Sequence, residues 1–134
     1  MDYHIFDASG LIALLKEEAG AAVAREALVA EHVSCLIHAI NLCEVYYDFL
    51  RCGQQTKGQE LIQDVEQMRI SIRTDMDPEF WMQVGRLKAR HRISLADCFC
   101  AALACRTQGA VLTTDRGDFE PLQSAGVCKM VLLR

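Results

Sequence analysis

The chain has 134 residues, 51% hydrophobic and 24% charged, enough apolar side chain for one packed core and too much for a disordered chain. Its net charge of −4 and pI of about 5.5 argue against indiscriminate coating of nucleic acid, though not against a nuclease that meets phosphate through carboxylate-bound metal ions. No apolar run approaches the roughly 18 residues of a membrane span, and Met1-Asp2-Tyr3-His4 has no signal-peptide pattern, so a soluble, cytoplasmic, single domain over residues 1–134 is expected.

In chain order, Tyr3–Phe6 is a short apolar strand that stops at Asp7-Ala8-Ser9-Gly10, followed by a helical pattern through Leu11, Ile12, Leu14 and Leu15. A second helix covers Ala21–Val29, and Ser34–His38 reads as a buried strand. Asn41 opens a helix to about Arg51, closed by Cys52-Gly53. Thr56–Met68 is predicted as one helix with Leu61, Ile62 and Val65 on a face, and Ile70–Arg73 as a strand. Asp77-Pro78-Glu79 starts a helix to about Ala89, with proline at its first position. Ser94 caps a helix over Leu95–Thr107, closed near Gly109. Ala110–Thr113 is a strand, Asp115-Arg116-Gly117-Asp118 turns into a short helix, and Lys129–Leu133 is a last strand. Strands alternating with helices imply a three-layer α/β/α sandwich with a mostly parallel central sheet.

Seven cysteines (Cys35, Cys43, Cys52, Cys98, Cys100, Cys105 and Cys128) contain no Cys-x-x-Cys pair, so reduced, buried thiols are expected rather than a zinc or redox site. His4, His32, His38 and His91 share no ligand spacing. Phe80, Trp81, Met82, Tyr46, Tyr47 and Phe49 read as helix packing or as an interface between proteins.

Four acids stand out. Asp7 and Asp115 follow strands, where open α/β sheets place their ligands, and Glu44 and Asp97 lie near helix starts; Asp118 follows three residues after Asp115. Apolar neighbours surround three of them: Ile5-Phe6, Leu42-Cys43 and Val45, Leu95-Ala96 and Cys98-Phe99. Carboxylates crowded together repel, and a hard divalent cation relieves the repulsion; oxygen-only ligands select Mg²⁺ or Mn²⁺, which hydrolyse phosphodiesters without a protein nucleophile. Each acid also has a purely structural reading. Asp7 is a possible N-cap, Asn41/Glu44 and Ser94/Asp97 have capping-box spacing, and Asp115 and Asp118 suit a turn.

Four segments carry a resemblance: Tyr-His-Ile-Phe-Asp-Ala-Ser at 3–9, Ala-Ile-Asn-Leu-Cys-Glu-Val at 39–45, Ser-Leu-Ala-Asp-Cys at 94–98 and Val-Leu-Thr-Thr-Asp-Arg-Gly-Asp-Phe at 111–119. In this order they resemble the PIN-domain family, and within it the VapC-type toxins of toxin–antitoxin pairs. The resemblance implies Mg²⁺- or Mn²⁺-dependent endonucleolytic cleavage of RNA, a homodimer and a cognate antitoxin partner. It implies Asp7, Glu44 and Asp97 as metal ligands, Asp115 as the fourth catalytic acid, Asp118 as a further one, and Ser9 and Thr113 as hydroxyls lining the site. Arg86, Lys88, Arg90 and Arg92, with His91, form a basic stretch beside the Ser94 helix start that could track a phosphate backbone, with Arg106 and Arg116 adding to it; a solvated helix end fits it equally. A receiver-like phosphorylation domain fits less well, since Glu44 and Asp97 lie within helices and no lysine follows the late strand at Thr113-Thr114. A non-catalytic scaffold with the same fold is the other alternative.

Overall fold

The central strands carry adjacent apolar residues, and because successive side chains point to opposite sides of a strand, such runs give the sheet two buried faces. The computed structural model describes all residues, Met1 to Arg134. Its strands are β1 (Asp2–Phe6), β2 (Val33–His38), β3 (Ser71–Arg73), β4 (Ala110–Thr113) and β5 (Lys129–Leu132). Its helices are α1 (Ala8–Leu15), α2 (Ala21–Val29), α3 (Ala39–Arg51), α4 (Gln55–Gln59), α5 (Leu61–Gln67), α6 (Pro78–Arg90), α7 (Leu95–Thr107) and α8 (Arg116–Ser124). Every strand pair is parallel, in the order β3-β2-β1-β4-β5.

Ile5, Leu36 and Val111 point to one face and pack with Phe80, Val84 and Leu87 of α6, Leu103 of α7 and Phe119 and Leu122 of α8. Phe6, Ile37 and Leu112 point to the other, against Leu11 and Leu14 of α1, Ala24 of α2, Val45 and Phe49 of α3 and Leu61 and Val65 of α5. The result is the expected α/β/α sandwich, with a wholly parallel sheet. No helix is long and apolar enough to cross a membrane.

The strand order places the site. From β1 the chain moves outward to β2 and then β3, and it re-enters on β1's other side as β4. Phe6 is in register with both Ile37 and Leu112, so the carboxyl ends of β1, β2 and β4 lie side by side. After β1 the chain enters α1 on one face, and after β4 it enters α8 on the other. The two connections part at β1 and β4 and leave the crevice in which open parallel sheets bind ligands.

Three sequence expectations need correcting. Thr56–Met68 forms two helices, α4 and α5, that share Glu60 as the junction. Gly58 and Thr56 are weak helix formers, and Gly58 lies against Tyr46, where a Cβ would stand 3.3 Å from the ring. Asn41 does not open α3: His38 caps it, its Nδ1 accepting from the Ile40 amide at 3.1 Å, while Asn41 is fully buried inside. All seven cysteines are free, but only Cys35, Cys98 and Cys100 are buried; Cys43 and Cys52 are exposed.

Gly10 lets α1 touch β4. A Cβ there would stand 2.6 Å from the Leu112 carbonyl oxygen, an oxygen that also accepts from the Asp7 amide at 3.2 Å. Gly10→Ala therefore has to push α1 off the strand and is expected to lower stability by about 1–3 kcal/mol. A reduced urea midpoint with unchanged slope will show this, and an unchanged midpoint will show that α1 can retreat freely.

Candidate active site

The site begins with two hydroxyls that join the ends of β1 and β4. Asp7 is extended (φ −85°, ψ 177°) and caps α1, its Oδ1 accepting from the Gly10 amide at 2.7 Å. Ser9 Oγ donates to the same carboxylate at 2.8 Å, and Thr113 Oγ1 donates to Oδ2 at 2.6 Å. With both hydroxyl protons on Asp7, the oxygens accept from the next amides of the β4 turn. Thr114 N–H reaches Ser9 Oγ at 3.0 Å and Asp115 N–H reaches Thr113 Oγ1 at 2.9 Å. Asp7 is only 3% exposed. Burial pushes its carboxyl up to about 6 against the pull of the three donors, and the Asp115 charge adds to the rise.

The other acids gather around this centre. Asp115 caps α8, its Oδ1 accepting from the Asp118 amide at 3.2 Å. Asp118 is pushed up to about 7, first by burial and then by its carboxyl contacts with Asp115 and Asp97. Asp97 stands in the first turn of α7, where Ser94 Oγ accepts from its amide at 3.1 Å. Its carboxyl is raised by burial and by the charges of Asp7 and Glu44, while Asp118 and Ser94 hold it down. Glu44, in α3, is raised by burial and lowered by Asn41. The charge of Asp115 bears on Asp7 and Asp118, and the charges of Asp7 and Glu44 bear on Asp97, so these acids form one cluster.

No lysine or arginine nitrogen lies within 4.0 Å of any of these five carboxyls; the seven ion pairs of the chain involve other acids. The negative charge is therefore uncompensated by side chains, and every ligand on offer is an oxygen. That donor set suits a hard divalent cation. No three of the acids converge into a ready-made cage, so a cation would draw them together rather than drop into a fixed ring. A cavity of about 730 Å³ lined by Met1, Leu28, Val33 and Arg69 lies at the amino ends of β1 and β2, the opposite edge of the sheet, and none of the acids reaches it.

Sequence reasoning missed two residues. His38 joins three segments: beyond its capping of α3, its Nε2 bonds the Asp75 carbonyl at 2.9 Å and its ring stacks on Phe80 at 5.4 Å. Asn41 donates from Nδ2 to Glu44 Oε1 at 3.3 Å and to the Ala96 carbonyl at 3.0 Å. Its signal in the sequence is a polar residue three before Glu44 in an apolar run, a spacing that suits a cap equally well.

The basic residues divide. Arg106 is committed to Asp77 at 2.6 Å and Asp75 at 3.0 Å and sits over Phe80, so it does not extend the basic stretch. Lys88 Nζ donates to the Ile93 carbonyl at 2.7 Å and ties the α6–α7 turn. Arg86 is held by Gln83 at 2.9 Å, and Arg116 pairs with Glu120 at 3.3 Å. Arg90 and Arg92 are exposed and have no ion-pair partner within 4.0 Å.

The family model described as PIN domain matches residues 5–122. By sequence, no curated protein matches the chain. Among solved structures, the fold is similar to VapBC2 of Rickettsia felis bound to a promoter DNA fragment (TM-score 0.77, 15% identity, 97% of this chain and 98% of that one). It is similar to DNA-bound VapBC of Salmonella typhimurium (TM-score 0.76, 13% identity, 100% of both chains). It is also similar to VapC20 of Mycobacterium tuberculosis, a sarcin–ricin-loop-cleaving toxin (TM-score 0.72, 13% identity, 92% and 95%).

The raised carboxyls make a thermodynamic prediction. A group whose pKa is raised by folding stabilises the fold fully below its unfolded value and loses that contribution as pH rises through the folded one. For Asp7 and Asp118 the loss runs from about pH 4 to about 6 and 7. A cation that neutralises the cluster restores it, so millimolar Mn²⁺ is expected to raise the melting temperature by several degrees at pH 8 and far less at pH 5. Thermal melts with Mn²⁺ and with EDTA will test this; an equal shift at both pH values would place the cation elsewhere.

Proposed function

The chain belongs to the PIN-domain family, and from that premise we propose that it is a single PIN-like domain over residues 1–134 acting as a Mg²⁺- or Mn²⁺-dependent endoribonuclease. The observation that carries this reading is the uncompensated cluster of Asp7, Glu44, Asp97, Asp115 and Asp118 at the parting of β1 and β4. Asp7, Glu44, Asp97 and Asp115 would hold the ion, with Asp118 beside them. When bound, such an ion lowers the pKa of water and takes up charge on the phosphoryl oxygens. The chain's own residues do the positioning. Ser9, Thr113 and the Gly10 amide orient the Asp7 carboxylate and favour its ionised form despite burial. Arg90 and Arg92, with Arg86, Lys88 and Arg116 nearer their own partners, supply cations for the phosphate backbone.

The partners follow the same reading. A toxin–antitoxin complex from Klebsiella pneumoniae and a member of the VapBC family of toxin–antitoxin systems from Mycobacterium tuberculosis are similar in fold, and we assign this chain the toxin role in such a pair, working in the cytoplasm as a homodimer. Exposed apolar side chains supply surface for those contacts. Tyr46, Tyr47 and Leu50 lie on α3 beyond Glu44, with Ile62 on α5, and Trp81 and Met82 on α6. Phe49 and Phe80, in contrast, are core.

Cleavage of a fluorophore–quencher RNA tests the activity. It is expected to require Mg²⁺ or Mn²⁺, to stop in EDTA and to fall by more than about 100-fold in Asp7→Asn. Cleavage that survives both EDTA and the substitution would sink the proposal, and absence of any cleavage by antitoxin-free protein would favour the scaffold reading. For the basic stretch, Arg90→Ala with Arg92→Ala is expected to weaken RNA binding and flatten the slope of log affinity against log salt by about 0.7 per lost contact. Unchanged binding would assign those arginines to solvation of the helix end.

A further inference from the structure

Asn41 is the one side-chain amide in contact with the acidic cluster, and it is 0% exposed. Its Nδ2 reaches two oxygens at once, Glu44 Oε1 at 3.3 Å on its own helix and the Ala96 carbonyl at 3.0 Å on α7. Both are acceptors only, so the amide can face them in a single orientation. Ala96 directly precedes Asp97. One side chain therefore spans from the Glu44 carboxylate to the backbone that carries the Asp97 carboxylate, between helices and across 55 residues of sequence.

Helix capping does not account for this residue. His38 already caps α3. The Asn41 Oδ1 is buried with no hydrogen-bond partner, and an unpaired buried acceptor destabilises a fold relative to an apolar side chain of similar volume. The surroundings are apolar, with Leu42 and Val45 both buried. What an amide offers here, and leucine does not, is a neutral donor. A lysine would orient Glu44 but neutralise it. An amide orients it and leaves the negative charge for a cation to meet.

We infer that Asn41 is a positioning residue for the metal site: it fixes Glu44 relative to Asp97 and thereby sets the cation affinity of the cluster. The inference rests on the metal-site reading above. Groups that orient metal-binding side chains are worth about 10–100-fold in affinity.

The test uses the full chain and Mn²⁺ alone as probe, with free Mn²⁺ read by electron paramagnetic resonance and folding by thermal melts. Asn41→Leu is expected to melt at or above the wild-type temperature, yet to bind Mn²⁺ about 10-fold or more weakly. In a Glu44→Gln background the same substitution is expected to change Mn²⁺ affinity less than about twofold, because the carboxylate it positions is gone. Should Asn41→Leu fail to fold, Asn41→Ser, whose hydroxyl is too short to span both oxygens, carries the same expectation. Wild-type affinity in a folded Asn41 variant overturns the inference, as does an equal loss with and without Glu44. A wild-type chain that binds no Mn²⁺ overturns instead the metal-site reading beneath it.

Discussion

The buried carboxylate of Asp7 is the constraint around which the sheet's carboxyl edge is arranged. A charge 3% exposed has to be met by donors, and no cation of the chain is near. Ser9, Gly10 and Thr113 are those donors, one from the α1 turn, one from the α1 backbone and one from the end of β4. Satisfying Asp7 thus fixes the seam between β1 and β4, the two strands between which the chain changes direction. Gly10 belongs to the same requirement, since a side chain there would press on Leu112 and separate the pieces that Asp7 joins.

The acids of the cluster also serve local structure, which is why two readings of the sequence stood side by side. Asp7 caps α1 and Asp115 caps α8, each with an oxygen that accepts a backbone amide. Such a bond uses one lone pair of a carboxylate that has several. Capping and cation binding therefore do not compete for these residues. A cap places its acid at a helix start, and in a parallel sheet helix starts follow the strand ends where ligands bind. The spacing that looks structural and the spacing that looks functional are the same spacing.

Much of the fold was legible in the sequence, because long runs of clear period determine their own class. All five strands fall within a residue or two of where the sequence reading places them, and α2, α6 and α7 match closely. The break between α4 and α5 was hidden because a period of 3.6 cannot show a turn that keeps Leu61 and Val65 on the core side. The joint use of His38 was hidden because its partners, Ile40 and the Asp75 carbonyl, are backbone atoms and carry no side-chain signature. Arg106 was misjudged for a related reason. Its partners Asp75 and Asp77 lie about thirty residues away, and no local pattern pairs them. Of the candidate site, the acids could be named from context and resemblance. The hydroxyl seam between β1 and β4 could not be read as a connected network without knowing which strands are neighbours.

Charge distribution ties the site to the surface. The chain has 14 lysines and arginines against 18 acids. Six of those cations, Lys16, Arg25, Arg51, Arg73, Arg106 and Arg116, sit in ion pairs with acids outside the cluster. Arg106 alone holds two acids, and with Arg73 it pins the loop between β3 and α6. Pairing of this kind removes positive charge from the surface and leaves the cluster's negative charge unanswered from within. An anionic polymer approaching the cleft would meet repulsion unless a cation stood between. The proposed metal ion then has two tasks in one position, to let the acids remain ionised in a half-buried cleft and to reverse the sign of the field that a phosphate meets there. In this account the acidic pI is not at odds with RNA as substrate. On the proposed reading RNA binding would depend on the metal, and Arg90 and Arg92 would supply the remainder of the positive charge.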